Sequence, residues 1–72
     1  MRLSGFLEKL HAEPFRPFVV ELDSGRRVKI LHPEDVVVRE ALIIVFSGGE
    51  LAAMFETVAI SAILPFRRNK AS

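Results

Sequence analysis

Phe18-Val19-Val20-Glu21-Leu22-Asp23-Ser24-Gly25-Arg26-Arg27-Val28-Lys29-Ile30 is the stretch that decides the fold. Successive side chains of an extended strand point to opposite faces. Phe18, Val20 and Leu22 therefore share one face, and Val19, Glu21 and Asp23 share the other. Beyond Asp23-Ser24-Gly25 the alternation resumes, with Val28 and Ile30 set against Arg27 and Lys29. Gly25 supplies the positive φ that such a turn needs. Two alternating runs joined by a short glycine-containing turn read as a β-hairpin, with one apolar face that requires a cover and one charged face.

The segment upstream supplies a cover. Leu3, Phe6, Leu7 and Leu10 recur at i, i+3, i+4 and i+7, the apolar stripe of an amphipathic helix. Pro14 ends the pattern, because the residue before a proline avoids the α region. The reading is a helix over residues 4–12, then an extended lead-in Pro14-Phe15-Arg16-Pro17. A helix this short is not stable alone. Its stripe is expected to cap a sheet rather than lie on a membrane, since it lacks a basic polar face.

Downstream, His32-Pro33-Glu34-Asp35 stops the second strand, and Pro33 suits the second position of a turn. Val36-Val37-Val38 is a short β-branched run, and Arg39-Glu40 reads as a bend. Residues 41–46 (Ala-Leu-Ile-Ile-Val-Phe) are apolar on both faces, so both faces are expected to be covered by protein. Ser47-Gly48-Gly49 marks a hairpin turn. The returning strand, by simple alternation, puts Leu51, Ala53 and Phe55 on one side and Ala52 and Met54 on the other. Glu56 to Ala59 suggests a short helical turn. Residues 60–64 form a last strand closed by Pro65, and residues 67–72 form a basic tail. The expectation is one α+β domain over residues 1–72. It comprises a short helix (4–12), about five antiparallel strands within 18–65 arranged as a small barrel or strongly bent sheet, and the tail. A flat sheet with one helix on its face is the alternative.

Composition narrows the function classes. The chain has 72 residues, half of them hydrophobic, with a mean hydropathy of +0.31 and no cysteine. Disulfides and thiolate metal sites are excluded. A domain of this size buries only about 60% of its unfolded surface. Part of this apolar load is therefore expected outside, and large exposed apolar patches mark interfaces. A symmetric homo-oligomer is the simplest outlet. Ten basic and nine acidic residues leave a net charge of +1, unlike a dedicated nucleic-acid binder. Glu8 and Lys9 interrupt any signal-peptide pattern. The longest apolar run, 41–46, is far short of the roughly 20 residues needed to span a bilayer. A soluble, cytoplasmic protein without membrane contact is expected.

Two resemblances add to this reading. Pro14-Phe15-Arg16-Pro17-Phe18, Leu22-Asp23-Ser24-Gly25-Arg26 and His32-Pro33-Glu34-Asp35 together resemble a family of short, functionally uncharacterised bacterial proteins. That resemblance implies a bacterial protein and transfers no functional residue. Val20-Glu21-Leu22-Asp23-Ser24-Gly25-Arg26 and Ala59-Ile60-Ser61-Ala62-Ile63-Leu64-Pro65 are similar to the first hairpin and final strand of the Sm-like fold. It implies an Sm-like or SH3-like barrel, rings formed by pairing edge strands, and RNA as a possible class of partner.

No constellation carries catalysis. His11 and His32 lack metal-ligand spacing. His32 reads as a turn residue whose ring bonds backbone, and His11 as a solvent-facing residue near the helix C-terminus. Glu34 and Asp35 are adjacent carboxylates on an exposed turn, where both stay solvated. The serines include no nucleophile elbow. Gly48-Gly49 lacks the Lys-Ser/Thr partner of a phosphate loop. The chain is read as a non-enzyme with no catalytic, metal or cofactor site and no cofactor. Its leading function is a homo-oligomeric interaction module, with Leu42, Ile44, Phe46, Leu51 and Met54 as candidate interface residues and the helix stripe as a further contributor. The alternative is nucleic-acid binding through Arg26, Arg27 and Lys29 of the hairpin with Arg67, Arg68 and Lys70 of the tail, which pairing of the last strand with the first would bring together.

Overall fold

A computed structural model describes residues 3–66 of the chain. Helix α1 (Leu3–Leu10) is followed by strands β1 (Phe18–Leu22) and β2 (Arg27–Ile30) and a 3-10 turn (Pro33–Asp35). Strands β3 (Val36–Arg39), β4 (Leu42–Ser47) and β5 (Glu50–Glu56), a second 3-10 turn (Thr57–Ala59) and β6 (Ile60–Pro65) complete the order. The strands build two antiparallel sheets, β2-β1-β6 and β3-β4-β5. The domain is thus α+β with strongly bent sheets that do not close into a barrel. The described residues form six strands rather than about five, because Val36–Arg39 is a strand in its own right, paired to β4. The basic tail lies outside the described residues.

The hairpin follows its alternation. Phe18, Val20, Leu22, Val28 and Ile30 are buried, while Arg27 and Lys29 face outward. The inner face of the second sheet contributes Ile43, Val45, Ala53 and Phe55 to the same cluster, and Ile60 enters from β6. Each of these Val, Leu, Ile and Phe side chains contributes roughly 1.5–3 kcal/mol on full burial.

Helix α1 caps this core. Phe6 is fully buried, and its ring meets Phe18 edge to face, 5.9 Å between centroids at 78°. Leu10 is also buried, while Leu3 and Leu7 pack at the margin of the cluster. The stripe thereby packs against the core, with Phe6 and Leu10 buried in it. The helix stops at Leu10, two residues short of expectation, with the His11 N–H donating to the Leu7 carbonyl at 2.9 Å in its last turn.

Two register shifts shape the sheets. In β6, Ser61 is the extra residue between Ile60, opposite Leu22, and Ala62, opposite Glu21, and its hydroxyl donates to the Glu21 carbonyl at 3.1 Å. In β5, Ala52 is the extra residue between Leu51, opposite Phe46, and Ala53, opposite Val45. A bulge of this kind places two residues of one strand against one of its partner. It reverses the expected facing of Leu51, which stands with Met54 on the outside rather than with Ala53 and Phe55 in the core.

Candidate interaction surfaces

The outer face of β3-β4-β5 can be built row by row from the register. Val37, Ile44 and Met54 stand side by side across the three strands. One row along, Arg39, Leu42 and Glu56 do the same, and Phe46 pairs with Leu51 at the other end. Val37 is 41% exposed, Met54 56% and Leu51 59%, with Leu42, Ile44 and Phe46 half-buried between them. Among the described residues the expected second cover over β4 is therefore missing: Ile43 and Val45 are buried, but no further layer of these residues lies on the opposite face. All five residues singled out from composition (Leu42, Ile44, Phe46, Leu51 and Met54) fall on this one face. Val37 completes it. Its signal was present in the β-branched run 36–38, but only the pairing with Ile44 reveals which of the three valines faces outward.

The basic residues of the hairpin are dispersed among protein partners. The Arg27 guanidinium lies 3.6 Å from the Glu21 carboxylate on the outer face of β1 and β2. The Lys29 ammonium sits over the Phe66 ring, 5.8 Å from its centroid. Arg26 turns the other way and donates through Nη2 to the Ala52 carbonyl at 3.2 Å, tying the hairpin to the bulge in β5. Strand β6 does pair with β1, as expected of the last strand. Arg67, Arg68 and Lys70 lie outside the described residues.

A groove of about 510 Å³ opens between β2 and the end of β4. Its lining includes every residue from Arg26 to His32, Asp35 and Val36, and residues of β4 and β5 such as Val45, Phe46, Ala52 and Ala53. It lies where the two sheets fail to join.

His32 begins the first 3-10 turn through its carbonyl, which accepts from the Asp35 N–H at 3.1 Å. Its ring makes no capping bond, contrary to expectation, because the backbone carbonyl already closes the turn. His11 is exposed just beyond the helix. Among the described residues no group of three or more His, Asp and Glu converges as metal ligands would. Among those residues, too, no helix is long and apolar enough to cross a membrane. The chain matches no family model, no curated protein and no solved structure.

Proposed function

We propose that this chain is a non-enzymatic interaction module that associates with copies of itself through the outer face of β3-β4-β5. The observation that carries the reading is the uncovered apolar row Val37, Ile44 and Met54, extended by Leu42, Phe46 and Leu51. A second copy is the occupant favoured by the charges at the margin. Arg39 and Glu56 flank Leu42 on opposite strands. A two-fold axis running along β4 lays β3 of one copy over β5 of the other. Ile44 then meets Ile44, Val37 meets Met54, and Arg39 meets Glu56, an isologous arrangement.

The face is small. Three strands about 4.8 Å apart and six residues at about 3.3 Å each give a footprint of roughly 14 by 20 Å. That is well under the roughly 800 Å² per partner of a standard interface. Association through it is therefore weak and concentration-dependent. Sedimentation equilibrium from low micromolar to millimolar concentration should show a reversible dimer. Met54→Lys, at an exposed position, should abolish it without loss of fold. Arg39→Glu and Glu56→Arg should each weaken it, and the two together should restore it. A monomer throughout the range, or a dimer indifferent to Met54→Lys, would overturn the proposal.

A further inference from the structure

We infer that the groove beside β2 is a docking site for an extended acidic peptide segment, which adds to the free edge of β2 as a further strand. Three observations converge on this groove. First, among the described residues β2 pairs with β1 alone and its other edge is open. In an antiparallel ladder alternate residues direct their backbone groups to opposite edges. The Leu22 N–H donates to the Arg26 carbonyl at 2.8 Å, so in the same register Val20 and Phe18 bond Val28 and Ile30. The N–H and C=O groups of Arg27 and Lys29 consequently point away from β1. Second, the groove lies beside this strand: all four residues of β2, Arg27 to Ile30, line it regardless of the face their side chains take. Third, its charge is mainly positive. Arg26, Arg27 and Lys29 line it against Asp35, with Glu21 set 3.6 Å from Arg27 on the outer face.

Strand addition gives affinity through main-chain hydrogen bonds and specificity through alternate side chains. Here one set of side chains of the incoming segment would face Val28, Ile30 and Val45 on the inner side. The other set would lie near the cations. The complementary segment thus alternates apolar and acidic residues. A nucleic acid is less well matched, since the lining offers only the Phe46 and His32 rings and binding of single strands relies on stacking platforms. The chain's own end, Arg67-Arg68-Asn69-Lys70, carries the wrong charge.

The test is an amide-resolved NMR titration of the full chain with a blocked hexapeptide of alternating glutamate and valine. Slowed amide exchange and shifts at Arg27 and Lys29 are expected, with Val28 and Ile30 little changed because β1 already protects them. A lysine–valine peptide and a backbone N-methylated glutamate–valine peptide should both fail to bind. Arg26→Glu with Lys29→Glu, both exposed positions, should reduce affinity about tenfold or more through like-charge repulsion, with an unchanged circular dichroism spectrum. Equal binding of either control peptide would overturn the inference, as would shifts confined to Met54 and its neighbours. A uridine hexanucleotide that perturbs the Arg27 and Lys29 amides where the acidic peptide does not would reassign the groove to nucleic acid. Protection of these amides that appears in the free protein on concentration and vanishes on dilution would reassign it to a second copy.

Discussion

Replacing Phe6 with alanine removes the ring that ties the helix to the sheets. Phe6 is fully buried and meets Phe18 edge to face at 5.9 Å. Truncation of a buried phenylalanine costs about 3–5 kcal/mol. An aromatic pair of this geometry contributes about 0.5–1.5 kcal/mol beyond its area, and that loss falls within the same range. At roughly 0.05–0.15 kcal/mol per residue, a chain of 72 residues has a total stability of about 4–11 kcal/mol. Phe6→Ala thus removes a large share of the whole. An eight-residue helix has no stability of its own to fall back on. For a domain of this size 1 kcal/mol moves the melting temperature by about 4–8 °C, so a fall of more than about 12 °C is expected. Urea denaturation followed by circular dichroism measures both the midpoint and the cooperativity. Phe6→Leu, which keeps most of the volume, should recover most of the loss. A Phe6→Ala midpoint within about 0.5 kcal/mol of the parent would show that α1 lies outside the cooperative core and would refute this account of the cap.

Deleting Ala52 should leave a regular ladder with Leu51 still outward, because the bulged residue is extra to both faces; the cost is the Arg26 hydrogen bond, about 1 kcal/mol, and loss of exchange protection at Phe55 would refute it. Gly25 has a φ of +91° with open space around its Cβ position, so Gly25→Ala should cost about 1–3 kcal/mol from backbone strain alone, read by thermal unfolding. A double-mutant cycle on Arg27 and Glu21 should return no more than about 1 kcal/mol, because the pair is 3.6 Å apart and the arginine is largely exposed; the value should fall further with added salt.

The hairpin and the helix stripe were legible because each depends on a local period. Phe18, Val20 and Leu22 declare the buried face without reference to the rest of the chain, and so do Phe6 and Leu10. Leu51 was not legible. Its side depends on the extra residue Ala52, and nothing in Glu50-Leu51-Ala52-Ala53 marks a bulge by composition. Strand β3 was visible as a β-branched run, yet its status as a separate strand rests on pairing with β4. Strand β4 read as apolar on both faces, which composition equates with two covers; the described residues supply one. The candidate face was identified residue by residue but not as a face, since rows such as Val37–Ile44–Met54 exist only once register is known. The β2 groove had no sequence signature, because it arises from the failure of two sheets to meet.

The two sheets also differ in how far along the chain their partners lie. Sheet β3-β4-β5 is a meander of neighbouring hairpins confined to residues 36–56. Sheet β2-β1-β6 must instead bring Val20 against Ile63 and Phe18 against Pro65. Closing a long loop is an entropic cost met before its contacts form, and local contacts form faster than distant ones. The meander is therefore the natural early unit of folding, and docking of β6 onto β1 the late one. During synthesis the β1-β2 hairpin must wait, the edge of β1 unpaired, until residues 60–65 emerge. Substitutions in β6 should accordingly act mainly on the unfolding rate, and those in β4 on the rate of folding.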